Sequence, residues 1–301
     1  MTLRIGTAGW HYPKGRGTWN GIFYPLPQDR ARGFDELSFY AERFNAVEIN
    51  STFYGQPRAT VSLGWRRRTP KDFEFSVKLF QKFTHPGMSP GTITREDIDE
   101  FKAGVEPLAA AGRMGALLIQ FPPSFHDDPQ AREYLDWLLG TFADYRCAVE
   151  LRHRSWSDHE ADTAALLDAR HAAWVQIDEP KFESSIAQVW SPGKGELFYA
   201  RLHGRNAAQW WEHDEAEDRY NYLYNREELA PIAERVRTAR AAGKKINLFL
   251  NNHFSASAVA NATTLKHMLD EPVTARMPAE LVERYPELEP IVSTLPRARL
   301  L

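Results

Sequence analysis

Cysteine is nearly absent from this chain: Cys147 is the single one among 301 residues, so no internal disulfide braces the fold. Long apolar runs are missing as well, and none approaches the length of a membrane span. The chain opens straight into Leu3-Arg4-Ile5-Gly6, without an apolar signal segment, so a soluble, cytoplasmic protein with no membrane partner is expected. There is no excess of basic charge: the formal net charge is -3, which speaks against a protein that coats duplex nucleic acid with a basic face. No Gly/Ser linker, composition break or internal repeat marks a second domain.

What is present is an ordinary globular composition, 43% hydrophobic with 18 glycines and 19 prolines, and an unusual nine tryptophans, a residue suited to cores and stacking sites. At this length one large α/β barrel fits as well as two average domains. Strand-like runs fall at about 3–9, 46–50, 73–79, 115–121, 147–151, 173–178, 197–203 and 245–251. Helical patterns lie between most of them, at about 34–44, 58–68, 96–111, 130–141, 159–170, 227–242 and 255–269. Gly112 and Gly243 sit where left-handed caps are expected, and Asp128-Pro129 and Ser255 where helices should start.

This alternation implies parallel strands joined by right-handed crossovers. The expected fold is α/β, a single (β/α)8 TIM-like barrel over about 3–270, with a tail of short helices over about 271–301. Loops that lead into strands are short, whereas several that leave them are long: Trp10 to Gly33, Phe80 to Arg95, Glu179 to Glu196 and Gly204 to Arg226. Long loops on the C-terminal face alone mark a functional rim.

The strands carry a second pattern. In Val47-Glu48-Ile49-Asn50 the apolar residues share one face and Glu48 and Asn50 the other, because successive strand side chains alternate. The same reading applies to Val149-Glu150-Leu151-Arg152, Ile177-Asp178, Ala200-Arg201-Leu202-His203 and Leu250-Asn251, and to the runs ending at Lys78 and Gln120. A parallel barrel gathers such polar groups at one mouth.

Three constellations follow. The carboxylates Glu48, Glu150 and Asp178, with His203, are the candidate catalytic groups, since two acids in one pocket split their pKa values and share acid and base work. The plain alternative is structural ion pairing, with Arg152 only about 7 Å beyond Glu150 on the same face. Lys78, Arg152 and Arg201, with His85, His153 and His253 at strand ends and Asn50, Gln120, Asn251 and Asn252 beside them, favour an anionic ligand. Against this, each histidine also serves as an orienter of an acid. Aromatic residues occupy the rim, where Trp10, Tyr54 and Trp156 are the candidate ligand contacts and the others supply the loops with small cores of their own. No cofactor is assigned. A divalent metal held by Glu48, Glu150, Asp178 and His203 is the sharper variant, opposed by three nearby cations and by the lack of a tight ligand motif. The acidic run Glu212 to Asp218, the Arg66-Arg67-Arg68 cluster, Ser155 and Cys147 are set aside as solvated or structural.

Several of these segments are similar to a known family. Ile5-Gly6-Thr7-Ala8-Gly9-Trp10, Phe23-Tyr24-Pro25, Val47 to Tyr54, Lys78 with Thr84-His85, and Gln120-Phe121-Pro122-Pro123 match in order. Glu150 to Trp156, Arg201-Leu202-His203-Gly204 and Asn251-Asn252-His253 continue the match. Over about residues 3 to 270 the chain resembles the YecE-like family, domain of unknown function 72. The resemblance implies a TIM-like barrel and no particular reaction; a relation to phosphate-processing barrels such as endonuclease four is fold-level analogy.

The leading expectation is an enzyme, a hydrolase or lyase, that binds a small phosphate- or carboxylate-bearing ligand at the mouth. Glu150 or Glu48 would act as acid or base there, with the cations and asparagines holding the anion. The alternatives are a nucleic-acid-binding protein, non-catalytic or endonuclease-like, stacking bases on Trp10 and Trp156, and a glycan-active or glycan-binding barrel.

Overall fold

The computed structural model describes residues 3–88, 91–187, 190–191 and 193–295. It is an α/β fold in which all strand ladders are parallel. The strands are β1 (Leu3–Thr7), β2 (Ala46–Ile49), β3 (Glu74–Lys78), β4 (Met114–Gln120) and β5 (Cys147–Glu150), then β6 (Ala173–Trp174), β7 (Gln176–Asp178), β8 (Leu197–Leu202) and β9 (Lys245–Leu250). They form two sheets, β1-β9-β8-β7 and β2-β3-β4-β5-β6, where the sequence pattern predicts one continuous ring.

Both interruptions have a physical cause. At the first, the run 173–178 breaks at Val175, whose N–H still donates to Val149 O; one residue later Gln176 lies against Ala200 of β8. The chain thus passes from one sheet to the other within a single run. At the second, side chains replace the ladder between β1 and β2. Ile5 N–H donates to Asn45 Oδ1 at 3.1 Å, Thr7 N–H donates to the Tyr40 hydroxyl at 2.8 Å, and that hydroxyl donates to Ala46 O at 3.1 Å. Backbone pairing resumes where Gly9 N–H donates to Glu48 O at 2.8 Å, beside the parallel bridge Ala8–Glu48. Gly6 is required at this seam, since a Cβ there would stand 2.0 Å from Ala46 O.

The expected helices form as Glu36–Ala41, Ala59–Arg67, Arg95–Ala109, Pro129–Thr141, Glu160–Ala169, Arg226–Ala241 and Ser257–Met268. Their ends follow capping chemistry. The Asp128 carboxylate accepts from Ala131 N–H ahead of Pro129, and Thr94 with Asp97 and Asn225 with Glu228 form reciprocal capping boxes. Gly112 and Gly243 adopt φ of 64° and 82°, as cap glycines do. Ser255, read as a helix start, instead has φ of 51°, followed by Ala256 at 64°, and the helix begins at Ser257.

One strand parity, including Val47, Phe75, Leu117, Val149, Leu202 and Leu248, is buried beneath these helices, each such side chain contributing about 1.5–3 kcal/mol of burial. Two short helices, Ser51–Tyr54 and Ser155–Asp158, lie in segments the sequence reads as loop. They stand directly after β2 and β5 and shape the rim. In the tail, Ala279–Arg284 is helical, and Tyr285 donates its hydroxyl to Ser255 O at 2.6 Å. No helix among the described residues is long and apolar enough to cross a membrane.

Candidate functional site

The strand registers put one set of side chains on the inner face. Glu48 faces with Ser76, Gln120 with Glu150, Ile177 with Arg201, and Tyr199 with Asn247. At the N-terminal end of this face Arg4 and Lys245 both pair with Glu74, at 3.0 and 2.9 Å. Towards the C-terminal ends lies a second charged group with Arg201 at its centre. Its Nε and Nη2 donate to Glu48 at 2.9 and 2.7 Å, and its Nη1 donates to Glu150 Oε2 at 2.5 Å. The Tyr199 hydroxyl donates to Glu48 at 2.7 Å, and Arg152 closes on Glu150 at 2.6 Å.

Glu48, Glu150 and Arg201 are all buried. Burial pushes the Glu150 carboxyl up, but Arg201 and Arg152 beside it outweigh burial and hold it well below the usual carboxylate range. Glu150 therefore has no proton to give near neutrality, and both oxygens of Glu48 are engaged. The expectation that these two acids perform acid and base work meets an arrangement in which a guanidinium occupies the space between them. Arg201, expected at the anion, spends its donors on these acids and on Gln120 Oε1 at 3.3 Å.

His203 is buried in the same group, and burial pushes it down to about 3. Arg152 Nη2 lies 3.3 Å from its Nε2. The Asn251 side-chain amide nitrogen lies 2.8 Å from Nδ1, and Glu150 Oε1 lies 3.6 Å from Nε2. With its pKa held low by burial, His203 is neutral at pH 7.

Asp178 is placed elsewhere. Ile177, not Asp178, aligns with Arg201, so Asp178 points to the opposite face, where it holds Arg205 at 2.7 Å and accepts from the Tyr224 hydroxyl at 2.7 Å. The inward carboxylate of this run is Glu179, one residue on. It is buried, with Oε2 3.6 Å from Arg152 Nη1 and without a hydrogen-bond partner. Burial raises its pKa, against the opposing pull of Arg152 and Lys181. The slip has a simple cause: an error of one residue in strand parity exchanges the faces, and the break at Val175 hides the parity.

Above this group stand half-buried side chains, among them Lys78, Asn50 and Arg152. Lys78 ends β3 half-buried, with Nζ 3.8 Å from the centre of the Phe53 ring. Among the described residues Nζ has no carboxylate partner and no hydrogen bond; Thr52 bonds only to the Lys78 carbonyl. Burial, then Arg201, brings the amine down to about 7. His85 meets the same ring edge-on at 4.8 Å, and burial and Lys78 push it down to about 4. Asn50 Oδ1 and His253 Nδ1 are buried without partners. Tyr54 is 71% exposed beside Phe53.

The remaining candidates make the following contacts within the fold. Trp156 is fully buried, its indole N–H donating to Phe125 O at 2.8 Å, and so offers no face to a base. Trp10 packs edge-on against Trp65 at 6.1 Å. His153 stacks on His126 at 3.8 Å and bonds to Ser155 Oγ. The Asn252 amide donates to Tyr222 O and Asn261 Oδ1, both at 2.8 Å. His253 stacks on Tyr12 at 4.3 Å, with Tyr220 close to both. Among the described residues no group of three His, Cys, Asp or Glu side chains stands together as a metal cage; Arg201 divides Glu48 from Glu150, and Asp178 faces away. A cleft lined by Leu167, Trp174, Gln176 and Phe198 opens behind the strands, away from these ionisable groups.

Known proteins share this framework. The chain is 34% identical to the DUF72 family protein TM1631 of Thermotoga maritima MSB8, whose crystal structure it matches with a TM-score of 0.76, covering 90% of this chain and 100% of that one. The DUF72 family protein EF0366 of Enterococcus faecalis V583 matches with a TM-score of 0.77 at 22% identity, covering 92% and 99%. The UPF0759 protein YunF of Bacillus subtilis (strain 168) is 28% identical over 288 residues, 93% of this chain and 99% of that protein. UPF0759 protein YecE of Escherichia coli (strain K12) is 32% identical over 155 residues, 50% of this chain and 48% of its own length. The family profile described as Protein of unknown function DUF72 matches residues 4–283, and the chain belongs to that family.

Proposed function

We propose that this protein is a cytoplasmic enzyme that binds a small anionic ligand at the C-terminal ends of its strands, read together as one (β/α)8 ring. The ring reading rests on the Ala8–Glu48 bridge and on the single run that serves both sheets at Val175. The observation that carries the ligand reading is Lys78: a half-buried cation near Arg201 and Arg152, with no carboxylate partner among the described residues. Phosphate or carboxylate supplies the missing counter-charge, with Arg152 as a further contact.

Acid and base work moves from the sealed pair Glu48 and Glu150 to Glu179 and Lys78. The pKa of Glu179 is raised and that of Lys78 lowered, so both approach the working range of a general acid or base. This combination suits a lyase better than a glycosidase, which needs a free pair of acids. The nucleic-acid reading loses its stacking platform at Trp156.

The test is thermal denaturation with inorganic phosphate and with acetate. Millimolar phosphate should raise the melting temperature of the wild type and leave Lys78→Met unchanged, because a ligand of the native state stabilises by mass action. An equal response in both proteins, or none in the wild type, would overturn the reading.

A further inference from the structure

Lys78 is placed for more than charge. Its nitrogen lies against the face of Phe53, a contact that stabilises an ammonium only modestly. The nearby charges come from every side: Glu48 on β2, Glu150 on β5 with Arg152 just beyond it, and Arg201 on β8, with His85 on the loop after β3. The two acids are already paired with the two arginines. Lys78 therefore sits beside a charge group that is internally satisfied, on an apolar ring, with an amine that no neighbour claims. In this setting lysines serve as nucleophiles towards carbonyl carbon.

Resting on the anion reading above, we propose that the Lys78 amine condenses with the carbonyl group of a small anionic aldehyde or ketone to form an imine. The nitrogen lone pair attacks the carbonyl carbon, and the C–N bond forms as the C=O π pair moves to oxygen. Two protons from the amine end on that oxygen, which departs as water, leaving C=N. No oxidant, reductant or metal takes part. Arg152, near enough to Lys78 to act on its charge, would meet the anionic end of the same molecule. His85, neutral at pH 7 and packed against the same Phe53 ring with its Nδ1 hydrogen-bonded to Thr84 Oγ1, would carry protons between nitrogen and the departing oxygen. The resulting substrate class is a carbonyl compound bearing phosphate or carboxylate, and the resulting chemistry is making or breaking bonds at the carbon next to the imine.

The test traps the adduct on the intact wild-type protein. Glycolaldehyde phosphate, glyoxylate and uncharged glycolaldehyde are each incubated with the protein and cyanoborohydride, which reduces imines to stable amines, and the modified lysines are located by peptide mass mapping. At pH 7 an amine with its midpoint near 7 is neutral roughly a thousandfold more often than an ordinary lysine. After allowing for its lower basicity, Lys78 should be labelled on the order of tenfold faster than other lysines. The two charged probes should outpace glycolaldehyde and so report whether phosphate or carboxylate is preferred, and inorganic phosphate should protect. Lys78→Arg should lose the fast site while keeping the positive charge.

Labelling of Lys78 no faster than surface lysines, while phosphate still raises the melting temperature, would overturn the imine and leave the anion reading standing. Fast labelling that is indifferent to probe charge and to phosphate would support the nucleophile and overturn the anion reading.

Discussion

The inner face of the strands carries charge at two depths, and the two are built on opposite rules. In the deeper group Arg201 grips Glu48 and Glu150, Arg152 closes on Glu150 from above, and Tyr199 completes Glu48. Glu48 and Glu150 are thus both partnered within the group, and Arg152 also stands 3.6 Å from Glu179. At the rim Lys78 has an aromatic ring and no acid, while Asn50, Glu179 and His253 each leave a buried polar atom unbonded. A buried charge set is retained when it holds strands in place; unmatched polar groups at an opening are where an outside molecule gains most. The contrast is between acids that are partnered inside the fold and, above them, polar atoms that have no hydrogen-bond partner.

The largest effect expected from breaking this contrast is at Arg201. Arg201→Met leaves two carboxylates buried side by side, and denaturant unfolding should show a loss of about 3–5 kcal/mol. A loss below about 1 kcal/mol would mean that the deep group is not closed.

Glu150→Gln ranks next, and its signature is in pH. Glu150 has a lowered pKa in the fold, so its stabilisation is present above the unfolded carboxylate value and is lost as pH falls through the folded value. Wild-type stability should therefore decline from roughly pH 5 downwards. The difference between wild type and Glu150→Gln should be largest near neutrality and shrink in acid, and a difference independent of pH would contradict this assignment.

Lys78 should behave in the opposite sense. Its amine is lowered to about 7 in the fold, so between pH 7 and the ordinary lysine value the unfolded chain binds more protons and stability rises with pH. Lys78→Met removes that slope and should make the protein more stable below pH 7, on the order of 1 kcal/mol after screening by solvent. A loss of stability instead would mark Lys78 as part of the closed group.

The smallest effect belongs to the outward pair. Arg205→Ala exposes Asp178 at the surface and should cost under about 1 kcal/mol. Asp178→Asn should leave the response to phosphate unchanged, which separates Asp178 from the site.

Much of this was legible from strand parity. Glu48, Asn50, Lys78, Gln120, Glu150, Arg152, Arg201, His203 and Asn251 follow from a period of two, because alternation is a local property of an extended chain. Asp178 failed by one residue where the run breaks, and Glu179 was missed with it. Trp156 was read as a rim platform because the helix Ser155–Asp158, which turns it inward, carries too few residues to leave a helical period. The β1–β2 seam was hidden for another reason: Asn45 and Tyr40 replace ladder bonds there, and side-chain bridges have no periodic signature.

The sequence by itself determined which residues share a face, where helices are capped, and that ionisable groups gather at the strand ends, since each depends on neighbours a few positions apart. Only the tertiary structure decided how those groups are partnered. Arg201 reaches Glu48 across 153 positions and Glu150 across 51, and no spacing along the chain records which cation meets which acid. That pairing leaves the Lys78 amine without a carboxylate partner among the described residues, because both nearby acids already hold arginines.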